Sequence, residues 1–186
     1  MLTRLFGHRG EDRKRLNQAS RALYETIVAQ ARQPRLYSAF GVPDTVAGRF
    51  EMVVLHLVLL FRRLGGAGDE AQAMAQAVFD TFATDMDRSM REMGIGDLGV
   101  PKRMKAVGKS FYGRLNVYGA ALANGDRASF AAALQRNLFP EDSAPPAMDG
   151  LADYAFGEAA FLGEQELPPV LDGRVVFAPA NAAVAS

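Results

Sequence analysis

Cysteine is absent from the 186 residues, so neither a disulfide nor a thiolate metal site can form, and nothing in the chain calls for an oxidising compartment. Histidine is nearly absent. His8 and His56 cannot supply the convergent ligands of a zinc site, and no metal or cofactor is expected. Long apolar runs are also missing. The longest, Met52 to Phe61, is interrupted by His56 and has about half of the ~20 residues that a bilayer-spanning helix requires, which makes it a buried helix. There is no excess of one charge: 21 Lys and Arg balance 21 Asp and Glu, so no overall field points to DNA. The opening MLTRLFGHRGEDRKR reaches Glu11 and Asp12 without an apolar stretch of signal-peptide length, and a protein that stays in the cytoplasm is expected. No nucleophile elbow, phosphate loop or dinucleotide fingerprint occurs, since Gly94, Gly96 and Gly99 follow a helical pattern where a dinucleotide motif follows a strand.

What the chain does have is helical periodicity. Its composition, 49% hydrophobic and 23% charged, suits one all-α domain, a bundle of about six to seven helices with a short extended C-terminal tail. Residues 1–15 read as a basic N-terminal arm, disordered or lying on a surface, 16–167 as the helical domain and 168–186 as the tail. Leu16, Ala19, Leu23, Ile27 and Ala31 share one helical face, and Pro34 ends the pattern. Between Val46 and Leu64 apolar residues appear on nearly every side, the mark of a helix surrounded by others. Arg49 and Glu51 fall near its start, within reach of water or ion pairs. Asp69 is placed to cap a long helix over Glu70 to Met93. Asn124-Gly125-Asp126 forms a turn before a helix carrying Phe130, Ala133, Leu134 and Leu138. A last helix over Leu151 to Leu162 buries Tyr154, Ala155, Phe161 and Leu162, and residues 174–177 form an extended piece. Residues 1–36 carry eight cationic and three anionic side chains, residues 141–186 one and eight, a polarity suited to drawing the two ends together.

The stretch Asp85 to Leu122 carries most of the information. Met86, Met90 and Met93 continue an apolar stripe from Val78, Phe79 and Phe82. Gly94 is placed as a left-handed C-cap with Ile95 folding back, and Gly99 or Asp97 with Pro101 opens the next helix. There Met104, Val107, Phe111, Leu115, Tyr118 and Leu122 share one side, while Lys102, Lys105 and Lys109 share the other. Lys102 to Arg114 holds five cations and no anion, a basic ridge. Gly108, Gly113 and Gly119 each weaken a helix by about 1 kcal/mol relative to alanine, which a close helix neighbour or a partner would explain. Asp85, Ser89 and Glu92 line one helix edge, where the two carboxylates can perform acid–base chemistry or hold a structural partner such as Arg49 or Arg114.

The run MDRSMREMGIGDLGVPKRMKAVGKSFYGRL, with Asp85, Asp87, Arg91, Glu92, Gly94, Gly96, Asp97, Phe111, Tyr112, Gly113 and Arg114 in place, closely resembles the signature of the ubiquinol-cytochrome c chaperone family, the assembly factors of the respiratory bc complex. The block from Gly41 to Leu64 is similar to that family's first conserved block. Gly99 departs from the pattern, where a small hydroxyl residue caps the helix. The resemblance covers roughly Pro34 to Leu138. It implies a non-enzymatic chaperone that binds newly made cytochrome b and supports assembly of ubiquinol-cytochrome c reductase. It supplies no defined binding site. By charge geometry the candidate partner-binding residues are Lys102, Lys105, Lys109 and Arg114, with Tyr112 beside them. The remaining signature residues are structural. Besides cytochrome b, an anionic membrane surface on the inner face of the cytoplasmic membrane, or a ribosome, suits the ridge. The alternatives are an RNA- or membrane-surface module, or a small helical enzyme using Asp85 and Glu92.

Overall fold

The computed structural model describes residues 3–141 and 145–178, with side chains from Gly10 onward. The fold is all-α, and no strand occurs among the described residues. Six longer helices and two of five residues follow in order: α1 Thr3–Ala31, α2 Pro34–Ser38, α3 Val46–Leu64, α4 Asp69–Glu92, α5 Val100–Asn124, α6 Arg127–Leu138, α7 Asp149–Glu164 and α8 Leu167–Leu171. The first helix begins at Thr3 and not at Leu16, so the basic stretch is part of the helix. Residues 1–2 of the arm and 179–186 of the tail lie outside the described residues. The chain divides into two compact units, one of residues 1–26, 64–104 and 165–175, the other of residues 27–63, 105–164 and 176–186.

The first unit is built on α4. Ala71, Met74, Val78 and Phe82 recur at helical spacing and are buried, as are Ala19, Leu23 and Tyr24 of α1. The Tyr24 ring lies 6.3 Å from Phe82, and its hydroxyl donates to Asp85 Oδ2 at 2.9 Å. Asp85 also accepts from Arg88 at 2.7 Å, so its partners are these, and not the Arg49 or Arg114 that spacing suggested. Gly68, not Asp69, precedes α4 as the cap residue, and Asp69 and Glu70 fall in the first turn, where negative charge meets the positive end of the helix. At the other end Gly94 takes φ +81° while Ile95 N–H donates to Met90 O (3.1 Å) and Gly94 N–H to Arg91 O (3.0 Å), a Schellman closure. Arg91 clasps the corner, donating to Asp87 (2.7 Å) and to Asp97. Gly96 O accepts from Gly99 N–H (2.8 Å) and Val100 N–H (3.3 Å), starting α5. The corner methionines are not core. Met86 and Met90 are half-buried, Met93 is exposed, and Leu98 is 99% exposed. The cationic first helix and the acidic tail meet through Arg15 and Asp172, next to Gly173, whose φ of +88° and 2.9 Å approach to the Ala19 backbone leave no room for a Cβ.

The second unit has α3 at its centre. Every residue from Val54 to Leu60 is buried, which explains the lack of a polar face. Thr45 Oγ1 accepts from Gly48 N–H at 3.1 Å and caps the helix, while Asp44 holds Arg49 at 2.7 Å. Helix α7 packs against α6. It buries Leu151, Ala152, Tyr154, Ala155 and Leu162, but Phe161 is exposed, because α7 turns Glu158 inward instead. His56 is a satisfied core histidine. Its Nδ1–H donates to Met52 O (2.7 Å), and its Nε2 accepts from Tyr154 O–H (2.8 Å), which in turn accepts from Gln30 Nε2 (2.9 Å). The end of the described chain closes over this cluster: the Phe177 ring meets His56 edge-on at 5.3 Å, and Ala178 N–H donates to Glu158 Oε2 at 3.1 Å.

Burial sets the protonation of this cluster. It lowers His56 to about 4 and raises Glu158 to about 7, the latter eased by the Ala178 N–H. A lowered base contributes stability above its ordinary value of 6.5 that is lost as pH falls towards about 4. A raised acid contributes stability below its ordinary value of 4.5 that is lost as pH rises through about 7. Glu158→Gln is therefore expected to flatten the alkaline limb, melting above the parent at pH 8 and close to it at pH 5. Parallel melting curves across that range would show that Glu158 does not titrate between them.

Candidate functional site

Helix α5 faces two ways. Phe111, Tyr118, Ala121 and Leu122 are buried, with Phe111 edge-on to Phe61 at 5.7 Å, whereas Lys105, Lys109, Tyr112 and Val117 are exposed. The following turn brings α6 back alongside. Asp126 caps α6 by accepting from Ser129 N–H at 2.9 Å, and Phe130 packs 4.8 Å from the Tyr118 ring, which fixes α6 against α5. Between the two helices runs a groove of about 430 Å³. Ala106, Lys109, Ser110, Gly113, Arg114 and Val117 line it from α5, and Ala133, Arg136 and Asn137 from α6.

Beneath the groove lies a polar network that sequence reasoning missed. Arg114 Nε donates to Glu51 Oε2 at 2.5 Å, and Nη1 donates to the Ser110 hydroxyl and, at 3.3 Å, to Ser110 O. Tyr118 O–H donates to the other Glu51 oxygen at 2.5 Å and accepts from Asn137 Nδ2 at 2.7 Å. Glu51 is 1% exposed. Burial pushes its carboxyl up from the ordinary value, against the pull of Arg114 and Tyr118. The same burial, together with Glu51, raises the Tyr118 hydroxyl, so Tyr118 is a donor at all ordinary pH. The signal for Glu51 was available: Leu55 and Val58, four and seven residues on, place it on an apolar stripe of α3 and not at a solvated end.

Of the candidate binding residues, Lys109 and Arg114 line this groove, with Gly113 of the signature between them. Tyr112 is exposed next to it and stacks edge-on with Phe111 at 5.5 Å. Lys102 and Lys105 are exposed on α5 and do not line the groove. Phe111 is core. Asp85, Asp87, Arg91, Glu92, Gly94, Gly96 and Asp97 belong to the corner of the other unit, where Arg91 and the Gly94 cap use most of them and Glu92 lies 3.9 Å from Arg88. No neighbouring helix explains the α5 glycines, because a Cβ at Gly108, Gly113 or Gly119 meets nothing within 4 Å. Among the described residues, Lys102, Arg103, Lys105, Lys109 and Arg136 have no carboxylate within ion-pair distance.

The elements that build this groove fall inside a recognisable family pattern. Residues 38–177 match the model of the family described as ubiquinol-cytochrome C chaperone. The chain belongs to that family. The match reaches through α7 to Phe177, beyond the Leu138 limit read from motifs. The chain is 25% identical over 166 residues to ubiquinol-cytochrome-c reductase complex assembly factor 1 of Xenopus laevis, an alignment covering 87% of this chain and 81% of that protein. Its fold matches the crystal structure of the Cbp3 homolog from Brucella abortus with a TM-score of 0.85 at 40% identity, covering 98% of this chain and 99% of that one. No helix of the chaperone among the described residues is long and apolar enough to cross a membrane.

Proposed function

We propose that this chaperone binds newly synthesised cytochrome b and keeps it competent for assembly into ubiquinol-cytochrome c reductase, by binding and not by catalysis. The observation that supports the reading most is the α5–α6 groove. It combines apolar walls with Lys109 and Arg136, two cations that have no carboxylate partner among the described residues, alongside the Glu51-paired Arg114 of the signature. A nascent membrane subunit presents the complementary surface, apolar segments joined by polar loops. The enzyme alternative has no such support, since Asp85 is engaged by Tyr24 and Arg88, and Glu92 is exposed beside Arg88. The test is cross-linking followed by pull-down from membranes that are making the complex. Cytochrome b is expected as the main captured protein, and its absence from the captured set would sink the reading.

The exposed Lys102, Lys105 and Lys109 favour a second role for the same protein, docking on an anionic surface at the inner face of the membrane, where each cation is worth about 1 kcal/mol. Replacing all three by glutamine is expected to leave the melting temperature unchanged and to weaken co-sedimentation with phosphatidylserine-containing vesicles about a hundredfold at low salt. The difference should shrink at high salt, where charges are screened within about 3 Å at 1 M. Equal sedimentation of variant and parent at low salt would make the ridge a solvated face.

A further inference from the structure

This inference rests on the reading that the protein binds a client. We propose that the α5–α6 groove takes an acidic segment of that client, its carboxylates meeting Lys109, Arg136 and Arg114 while its backbone lies close over Gly113.

Charge complementarity comes first. Among the described residues three cations line the groove and no Asp or Glu does. Lys109 and Arg136 are unpaired among the described residues. Arg114 uses Nε on Glu51 and Nη1 on Ser110, which leaves Nη2 without a hydrogen-bond partner among the described residues. Like charges gathered in a concave, partly apolar site repel one another, and an arriving carboxylate relieves that repulsion while forming charge-assisted hydrogen bonds. Glu51 beneath holds the Arg114 guanidinium in place before any ligand arrives.

Gly113 supplies the second argument. A glycine inside a helix costs about 1 kcal/mol relative to alanine, and nothing among the described residues requires one at 113: its φ is not positive and a Cβ there meets nothing within 4 Å. Gly108 and Gly119 are equally open, but only Gly113 lines the groove. The space above it is explained by an occupant whose backbone approaches α5 closely. Shape narrows the occupant further. At about 430 Å³ the groove is the size of a small-ligand cleft and admits a few side chains, not a flat bilayer. Its walls at Ala106, Val117 and Ala133 offer apolar contact that a chain of phosphates leaves unused.

The test places a photoreactive residue at Ala106, an exposed groove position, and another at Leu98 as a control, in the full-length protein in membranes assembling the complex. Cross-linked peptides are identified by mass spectrometry. Capture at Ala106 of a client peptide rich in Asp and Glu is expected, reduced at least tenfold both by Gly113→Leu and by the pair Lys109→Glu and Arg136→Glu. Gly113→Leu is expected to melt no lower than the parent. If it melts lower, the charge pair alone decides. Capture at Ala106 of RNA, of lipid, or of client peptides lacking carboxylates overturns the proposal, as does capture that the charge pair leaves unchanged. Client capture at Leu98 without any at Ala106 overturns the groove assignment and leaves the chaperone reading standing. Failure at both positions, with no cytochrome b in the pull-down, removes both.

Discussion

Arg114→Met is expected to destabilise the protein by about 3–5 kcal/mol, the cost of leaving one partner of a buried ion pair uncompensated. The side chain that remains is Glu51, 1% exposed, with the Tyr118 hydroxyl as its one remaining hydrogen-bond donor among the described residues. The loss should depend on pH in a defined direction. Burial already raises the Glu51 carboxyl, and removing Arg114 takes away the first influence holding it down, so the folded-state value rises further. A raised acid contributes stability below its ordinary value of 4.5 and loses it as pH rises through the folded-state value. Denaturant unfolding of the variant should therefore approach the parent at pH 4.5 and diverge steadily towards pH 8. Adding Glu51→Gln, which removes the charge and keeps an acceptor for Tyr118, should restore most of the difference at pH 8. A single variant within about 1 kcal/mol of the parent at pH 8, or a pH-independent loss, would mean that water reaches Glu51 and that the pair is a surface one.

Phe111→Ala is expected to cost a similar ~3–5 kcal/mol, as truncation of a buried phenylalanine does when its surroundings cannot collapse. The ring is 1% exposed and contacts Phe61 on α3 and Tyr112 on its own helix, so the cavity opens between two helices held by other contacts. Phe111→Leu, which keeps most of the volume, should lose far less. Thermal unfolding separates the outcomes. An unchanged melting temperature for Phe111→Ala would place the ring at the surface and make it a candidate client contact. Loss of capture on changing either Phe111 or Arg114 would not by itself show contact with the proposed client. Both hold α5, and α5 forms one wall of the groove, so client binding by these variants should be measured at temperatures where they remain folded.

How much of this was legible depended on the range of the interaction involved. Helix positions followed from periods of three and four residues and from caps a few residues away. The boundaries of α3, the Gly94 closure and the turn at Asn124-Gly125-Asp126 were all readable, because their hydrogen bonds join residues close in the chain. The start of α1 was misplaced by 13 residues, since its cationic opening carries no apolar period to read in the sequence. Phe161 was assigned inward because an aromatic side chain argues for burial. Glu158 took that place through its bond to the backbone of Ala178, twenty residues on.

The amino-acid sequence by itself determined the fold class, the central place of α3, the family and the cationic character of α5, because each is a property of composition, local periodicity or a contiguous motif. Only the tertiary structure decided what the signature residues do. Arg114 became the internal partner of Glu51, 63 residues away, and Lys109 was joined in one groove by Arg136 of α6, which no local pattern placed beside it. Whether a charge is buried and paired or exposed and free depends on which distant segment packs against it. Two cations five residues apart on the same helix therefore differ in role, Arg114 paired beneath the groove and Lys109 exposed at its rim.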